Sequence, residues 1–149
     1  MKTIRFALCL SLLAVATAFA AARHGDRAAI RAILISASPA AGETDRSLAA
    51  YEPTLRRLLR FESFRRLGEG SATLTPAKPS QLSLGNGQQL ELTSESAEGR
   101  SLRVRVNWTA NGRSLMNTAL VLQPGVPAVL GGPAHGRKGD VYAVLVIAQ

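Results

Sequence analysis

The sequence predicts a mainly β protein of the α+β kind: a single β-sandwich or partly open barrel with one amphipathic helix near the N-terminus. Three observations carry this reading. From Phe61 onward, short apolar or alternating runs are separated by turn residues at the spacing of all-β folds. Only the stretch SLAAYEPTLRRLLRF repeats its leucines with a helical period. The first and last runs, AIRAILISAS and VYAVLVIAQ, are apolar at odd and even positions alike, as strands covered on both faces are.

The chain divides into a signal peptide over residues 1–20, a loose leader over 21–28 and one β-rich domain over 29–149. Lys2 and Arg5 precede the apolar run Phe6 to Ala16, and small residues alternate from Ala16 to Ala22. That order is a secretory signal, with cleavage expected near Ala18 to Ala22. The competing reading is an uncleaved anchor, because Phe6 to Ala22 carries no charge and is close to the shortest span that crosses a bilayer. The small residues at its end favour cleavage. Cys9, the only cysteine, sits early in the apolar run after Leu8, which is not where a lipidated cysteine stands. Cleavage after Ala20 leaves 129 residues without cysteine. This excludes a disulfide, a thiol nucleophile and a thiolate metal site. No later run is long and apolar enough to span a membrane as a helix. The expected location is therefore periplasmic or extracellular.

Within the domain, Ala29 to Ser38 is the first strand. The helix is placed at about 47–60, where Leu48, Tyr51, Leu55, Leu58 and Leu59 share one face and Arg56, Arg57 and Arg60 lie opposite. Pro53 interrupts it. Either the helix kinks there, or a separate turn precedes a short helix from Glu52, and the unbroken apolar stripe favours the kink. Strands follow around Ser63 to Leu67 and Ser71 to Thr75, then a pair about Gly85-Asn86-Gly87. SAEG reads as a turn. In RSLRVRVNWT, the residues Leu102, Val104, Val106 and Trp108 face one way and Arg103, Arg105 and Asn107 the other. The hairpin after it is read with a three-residue loop, Ala110-Asn111-Gly112, and a left-handed Gly112 in a bulge. That choice puts Met116, Leu120 and Leu122 on the apolar face, pairing Val106 with Met116 and Leu102 with Leu120. AVLGG is a short strand, Gly131 to Gly139 an exposed connection, and Val141 to Ile147 the last strand.

The chemistry offered is sparse. GGPAHGRKGD has two glycines at phosphate-loop spacing, but Arg137 stands where lysine is required, Lys138 where a hydroxyl is required, and a strand follows instead of a helix. It reads as a turn, so no nucleotide is expected. His24 and His135 have no neighbours at metal-ligand spacing, so no metal or other cofactor is expected either. His135, Asp140 and some serine can form a hydrolytic triad only if folding assembles them; the simpler reading is an exposed loop histidine. The acids Glu62, Glu69, Glu91, Glu95 and Glu98 form no pair suited to acid–base work.

Charge supplies the remaining signal. The chain has 18 cations and 10 acids, a net charge of +8, and loss of Lys2 and Arg5 lowers it to +6. Fourteen of the sixteen remaining cations are arginine. The densest group is Arg56, Arg57, Arg60, Arg65 and Arg66, interleaved with Phe61 and Phe64, and it is the candidate anion-binding site. A solvated helix face explains the same residues, since cations suit a helix C-terminus and adjacent strand residues Arg65 and Arg66 point to opposite faces.

The succession RAILISAS, LAAYEPTLRRLLRFESFRRLGEGSATL, LSLGNGQQLEL, LRVRVNW and SLMNTALVLQPGVPAVLGGP resembles a group of small exported bacterial β-rich proteins of uncharacterised function. The segment LVLQPGVPAVLGG also looks like a strand pair of outer-membrane secretin channels. The first resemblance implies one secreted β-rich domain and brings no activity. Three functions are therefore carried forward. The leading one is a non-catalytic exported interaction or envelope-assembly module with a protein partner. The others are an arginine-mediated module for acidic polysaccharide, anionic lipid or nucleic acid, and a small hydrolase without a recognisable motif.

Overall fold

The computed structural model describes residues 27–136 and 138–149. The expected signal peptide and cleavage region, Cys9, His24 and Arg137 lie outside the described residues.

The chain runs β1 (Ala28–Ser38), a 3-10 turn (Arg46–Leu48), α1 (Glu52–Leu59), β2 (Ser63–Leu74), β3 (Pro79–Gly85), β4 (Gln88–Glu98), β5 (Ser101–Ala110), β6 (Arg113–Leu122), β7 (Ala128–His135) and β8 (Asp140–Ala148). The strands form two antiparallel sheets of four, in the orders β2-β1-β8-β7 and β3-β4-β5-β6. The sheets face each other without closing into a barrel. β1 begins at Ala28, the last residue of the expected leader.

The apolar runs that open and close the domain take the two central positions of the first sheet. Their alternate residues serve two cores. Ile30, Ala32 and Leu34 of β1, with Val144 and Val146 of β8, meet Leu90, Leu92, Val104, Val106 and Trp108 of the second sheet. Ile33, Ile35 and Ala37, with Ala143, Leu145 and Ile147, meet Leu48 and Leu55 on the opposite face. Among the described residues the molecule is thus three layers deep, and only the first sheet is covered on both sides.

The helical layer differs from the expected kinked helix. Asp45 Oδ1 accepts from the Ser47 backbone N–H at 3.0 Å and starts the 3-10 turn, which ends before α1 begins. Pro53 lies in the first turn of α1, where its missing N–H needs no partner. The helix stops at Arg60, whose φ is 57° and whose N–H reaches the Arg56 carbonyl at 3.1 Å. Because the helical phase restarts at Glu52, the stripe is broken. Leu48 and Leu55 are buried, Tyr51 and Leu59 are half-buried, and Leu58 is 53% exposed.

Four further expectations are corrected. β2 is one strand rather than two: a methyl group on Gly68 would overlap the Leu84 carbonyl, so Gly68 lets β2 run close against β3. SAEG does not turn as a unit, since β4 continues to Glu98 and the chain reverses at Gly99-Arg100. The β5–β6 loop has two residues, Asn111 (φ 49°) and Gly112 (φ 78°), with Ala110 facing Arg113. The extra residue is Leu115, and beyond it Trp108 faces Met116 and Leu102 faces Leu122. Two turn residues with positive φ match the twist of a hairpin, and a bulge next to the turn restores the apolar face that a wider loop was invoked to explain. Finally, Gly131 to Gly139 is not one exposed connection. β7 extends to His135, and among the described residues only Gly136, Lys138 and Gly139 lie in turn conformation before β8 begins at Asp140.

Candidate functional site

The five arginines of the candidate anion site do not form one free patch. Arg56 Nη2 lies 2.8 Å from Glu52 and its Nη1 lies 3.0 Å from Glu62. Arg66 pairs with Glu69 at 3.0 Å, and Arg31 grips the same carboxylate with two hydrogen bonds of 2.9 and 3.0 Å. The Arg56 guanidinium, helped by the Thr44 hydroxyl, holds the Glu52 carboxyl below the usual carboxylate range. Arg31 does the same for Glu69. Arg57, Arg60 and Arg65 make no ion pair among the described residues. Arg65 lies opposite Ser36 and Arg66 opposite Ile35, so the two point to different faces of the sheet. Folding therefore leaves Arg57 and Arg60 on the helical layer and removes Arg65 from their side.

His135 is not a loop histidine. It ends β7 and is half-buried. Its Nε2 lies 2.8 Å from the Ser36 hydroxyl of β1, and its ring stacks on Tyr142 of β8 with centroids 3.9 Å apart. The imidazole thus spans three adjacent strands. Sequence reading missed Ser36, which is 8% exposed in the middle of the apolar run Ile33 to Ala37. A buried hydroxyl needs a partner, and that requirement was the available signal. Asp140 faces His135 in the ladder, yet its Oδ1 is buried without a hydrogen-bond partner among the described residues. A serine, a histidine and an aspartate are therefore brought together. Ser36 is nevertheless enclosed by the strands, Tyr142 covers the ring, and Asp140 Oδ1 does not orient it. In this arrangement the contact ties β7 to the centre of its sheet.

At the opposite end of the sandwich a cleft of about 500 Å³ opens between the sheets. Arg27, Ser94, Arg100, Leu102, Pro124 and Gln149 contribute to its walls.

The third region is a sheet edge. An edge strand exposes unpaired backbone donors and acceptors and invites pairing unless something blocks it. Three of the four edges carry blocks. β2 has a bulge at Leu67, charges at Arg65, Arg66 and Glu69, and β3 packed close to it. β3 is short and starts at Pro79. β7 is interrupted between Gly131 and Ala134 and contains Pro133. β6 is different. From Ser114 to Leu122 it has no charged residue, no proline and no glycine. Its bulge lies beside the turn, so Met116 to Leu122 pairs with β5 in unbroken register. Leu115 and Val121 on β6 and Val126 just after it are exposed large hydrophobics. In a chain this rich in arginine, that is the segment most suited to receive another strand.

No protein family, curated protein or solved structure was found to match the chain. No helix among the described residues is long and apolar enough to cross a membrane.

Proposed function

We propose that this is an exported, non-catalytic interaction module of the cell envelope, and that it engages a protein partner along β6. The observation that carries the reading is the contrast among the edges: β6 offers the longest regular, uncharged run of backbone, Met116 to Leu122, while β3 is regular only from Pro79 to Ser83 and has β2 packed against it. Strand addition gains its affinity from main-chain hydrogen bonds and needs no pocket. Export is supported by the order of charged, apolar and small residues at the N-terminus. The polyanion reading has less support, because Arg56 and Arg66 are already neutralised by carboxylates. The hydrolase reading rests on the Ser36–His135 contact, whose hydroxyl is enclosed.

The test is site-specific photocrosslinking in the native envelope. A crosslinker at Val121 should yield a discrete protein adduct, while one at Gln81 on the β3 edge should not. Equal yields from both positions, or none from either, would refute the assignment. N-terminal sequencing of the exported chain should give a start close to Arg23.

A further inference from the structure

We propose that the strand received by β6 is β6 of a second copy, paired antiparallel about a two-fold axis at Thr118. This rests on the reading of β6 as the interaction edge, and it names the partner.

The argument begins with charge. Nothing along β6 selects an acidic strand, because its only charged residue is Arg113 at one end. β6 therefore fits an uncharged strand with its own alternation, and β6 itself is one. Antiparallel pairing puts the two Arg113 side chains at opposite ends of the joint, whereas parallel pairing would set them side by side. Like charges directly opposite one another are destabilising.

The pattern about Thr118 is consistent with a two-fold. Met116, Thr118 and Leu120 are half-buried and alternate with the exposed Asn117, Ala119 and Val121. With the axis at Thr118, Met116 of each copy faces Leu120 of the other. Both are partly buried against the inter-sheet core, so the joint extends that core's apolar rim from one copy to the other. On the outer side Val121 meets Leu115 of the second copy, and Asn117 meets Ala119. Each apolar residue from Leu115 to Val121 that lies off the axis at Leu115, Met116, Leu120 or Val121 thus gains an apolar neighbour. The second sheet of each copy becomes half of a continuous eight-stranded sheet.

Electrostatics supplies the opposing force. Each exported copy carries a net charge of +6 after loss of Lys2 and Arg5, so the copies repel at long range. Salt screens that repulsion. A dimer of this kind tightens as salt is raised from low to moderate strength, while a complex with an acidic partner loosens.

The experiment uses the exported chain, expressed from a Cys9→Ala precursor so that uncleaved and cleaved forms alike carry no native thiol. Thr118→Cys should oxidise to a covalent dimer. Directly opposed residues of an antiparallel pair have Cα atoms about 4.5–5.5 Å apart, within the roughly 4.4–6.8 Å that a disulfide spans. Val121→Cys should not, because the two copies of residue 121 are displaced by six positions, about 20 Å. Sedimentation of the parent should show a dimer that strengthens with salt, and Val121→Lys, which enters the joint twice, should weaken it about tenfold. Should the Thr118 variant fail to fold, sedimentation of the parent and of Val121→Lys decides alone. A parent that is monomeric at every salt concentration, while the Val121 crosslinker still captures another protein, overturns the second copy and leaves the edge intact. A monomer with no adduct overturns both. Oxidation at Val121 in preference to Thr118 overturns the antiparallel register.

Discussion

The two sheets are built from the same number of strands and differ in what covers them. The first is sandwiched between the second sheet and the helical layer, so every residue from Ala143 to Ala148 of β8 is buried. The second has one buried face and one wet face, and along β5 Val104, Val106 and Trp108 are buried while Arg103 and Arg105 are exposed. The difference separates two tasks. The first sheet holds the domain together and tolerates little change. The second can carry a binding edge, because the outer half of its side chains is not committed to a core.

The comparison can be broken most severely at the centre of the first sheet. Leu145→Asp puts an unpaired carboxylate between β8 and the helical layer. Its cost is comparable to the whole stability of a small domain, roughly 5–15 kcal/mol. No cooperative urea transition should remain, and a folded variant would show that the outer core is dispensable. Leu55→Ala probes the same core from the helix and should cost about 2–5 kcal/mol, read as a lower urea midpoint. A midpoint unchanged from the parent would mean that α1 merely rests on the sheet. His135→Ala removes a ring stack and leaves the Ser36 hydroxyl buried without its partner, a loss of about 1–3 kcal/mol. It should also speed amide exchange in β7 more than in β6, and uniform exchange would contradict the tie between β7 and β1.

The smallest effect sharpens the comparison through acid. Glu52 and Glu69 have carboxyls held low by arginine, so they favour the folded state when ionised. For a lowered carboxyl the contribution is complete above the ordinary value, about 4.3 for glutamate, and is lost as pH falls through the lowered one. Replacing both by glutamine should flatten the acid limb of stability and leave neutral pH little changed, since exposed pairs contribute modestly. A variant weakened equally at both pH values would point to lost packing.

How much was legible in the sequence follows from the range of the forces involved. β1 and β8 could be read because burial on both faces leaves apolar residues at every position. The positions of the Asn86-Gly87 and Asn111-Gly112 turns could be read because positive φ is a local demand, but the loop length and register of the second could not, because a bulge at Leu115 restores the same apolar face as a wider loop. The interruption at Pro53 was legible, but the unbroken leucine stripe favoured a kink over the separate turn and short helix from Glu52 that the backbone adopts. Gly68 looked like a break in β2, and in fact marks close approach to a strand of the other sheet. The Ser36–His135 contact spans 99 positions and depends on the strand order, which no local pattern states. The arginine cluster was visible as composition, but its partners Glu52, Glu62 and Glu69 could be matched to it only in three dimensions. The open edge of β6 was written as an uncharged run in an arginine-rich chain, and became meaningful once the other three edges proved to be blocked.

Trp108 gives the molecule a built-in optical gauge. It is the only tryptophan, it is fully buried between the sheets, and its indole N–H donates to Gln88 Oε1 at 2.7 Å. A side chain on Gly132 of β7 would overlap its ring, so the indole is pressed against the backbone of the first sheet. Its fluorescence therefore reports the gap between the sheets and is blind to the far side of the first sheet, where α1 packs. Loss of helical circular dichroism with unchanged emission would record the outer layer peeling away from an intact sandwich. A red shift would record the sandwich itself opening, so one native residue distinguishes two ways for this fold to come apart.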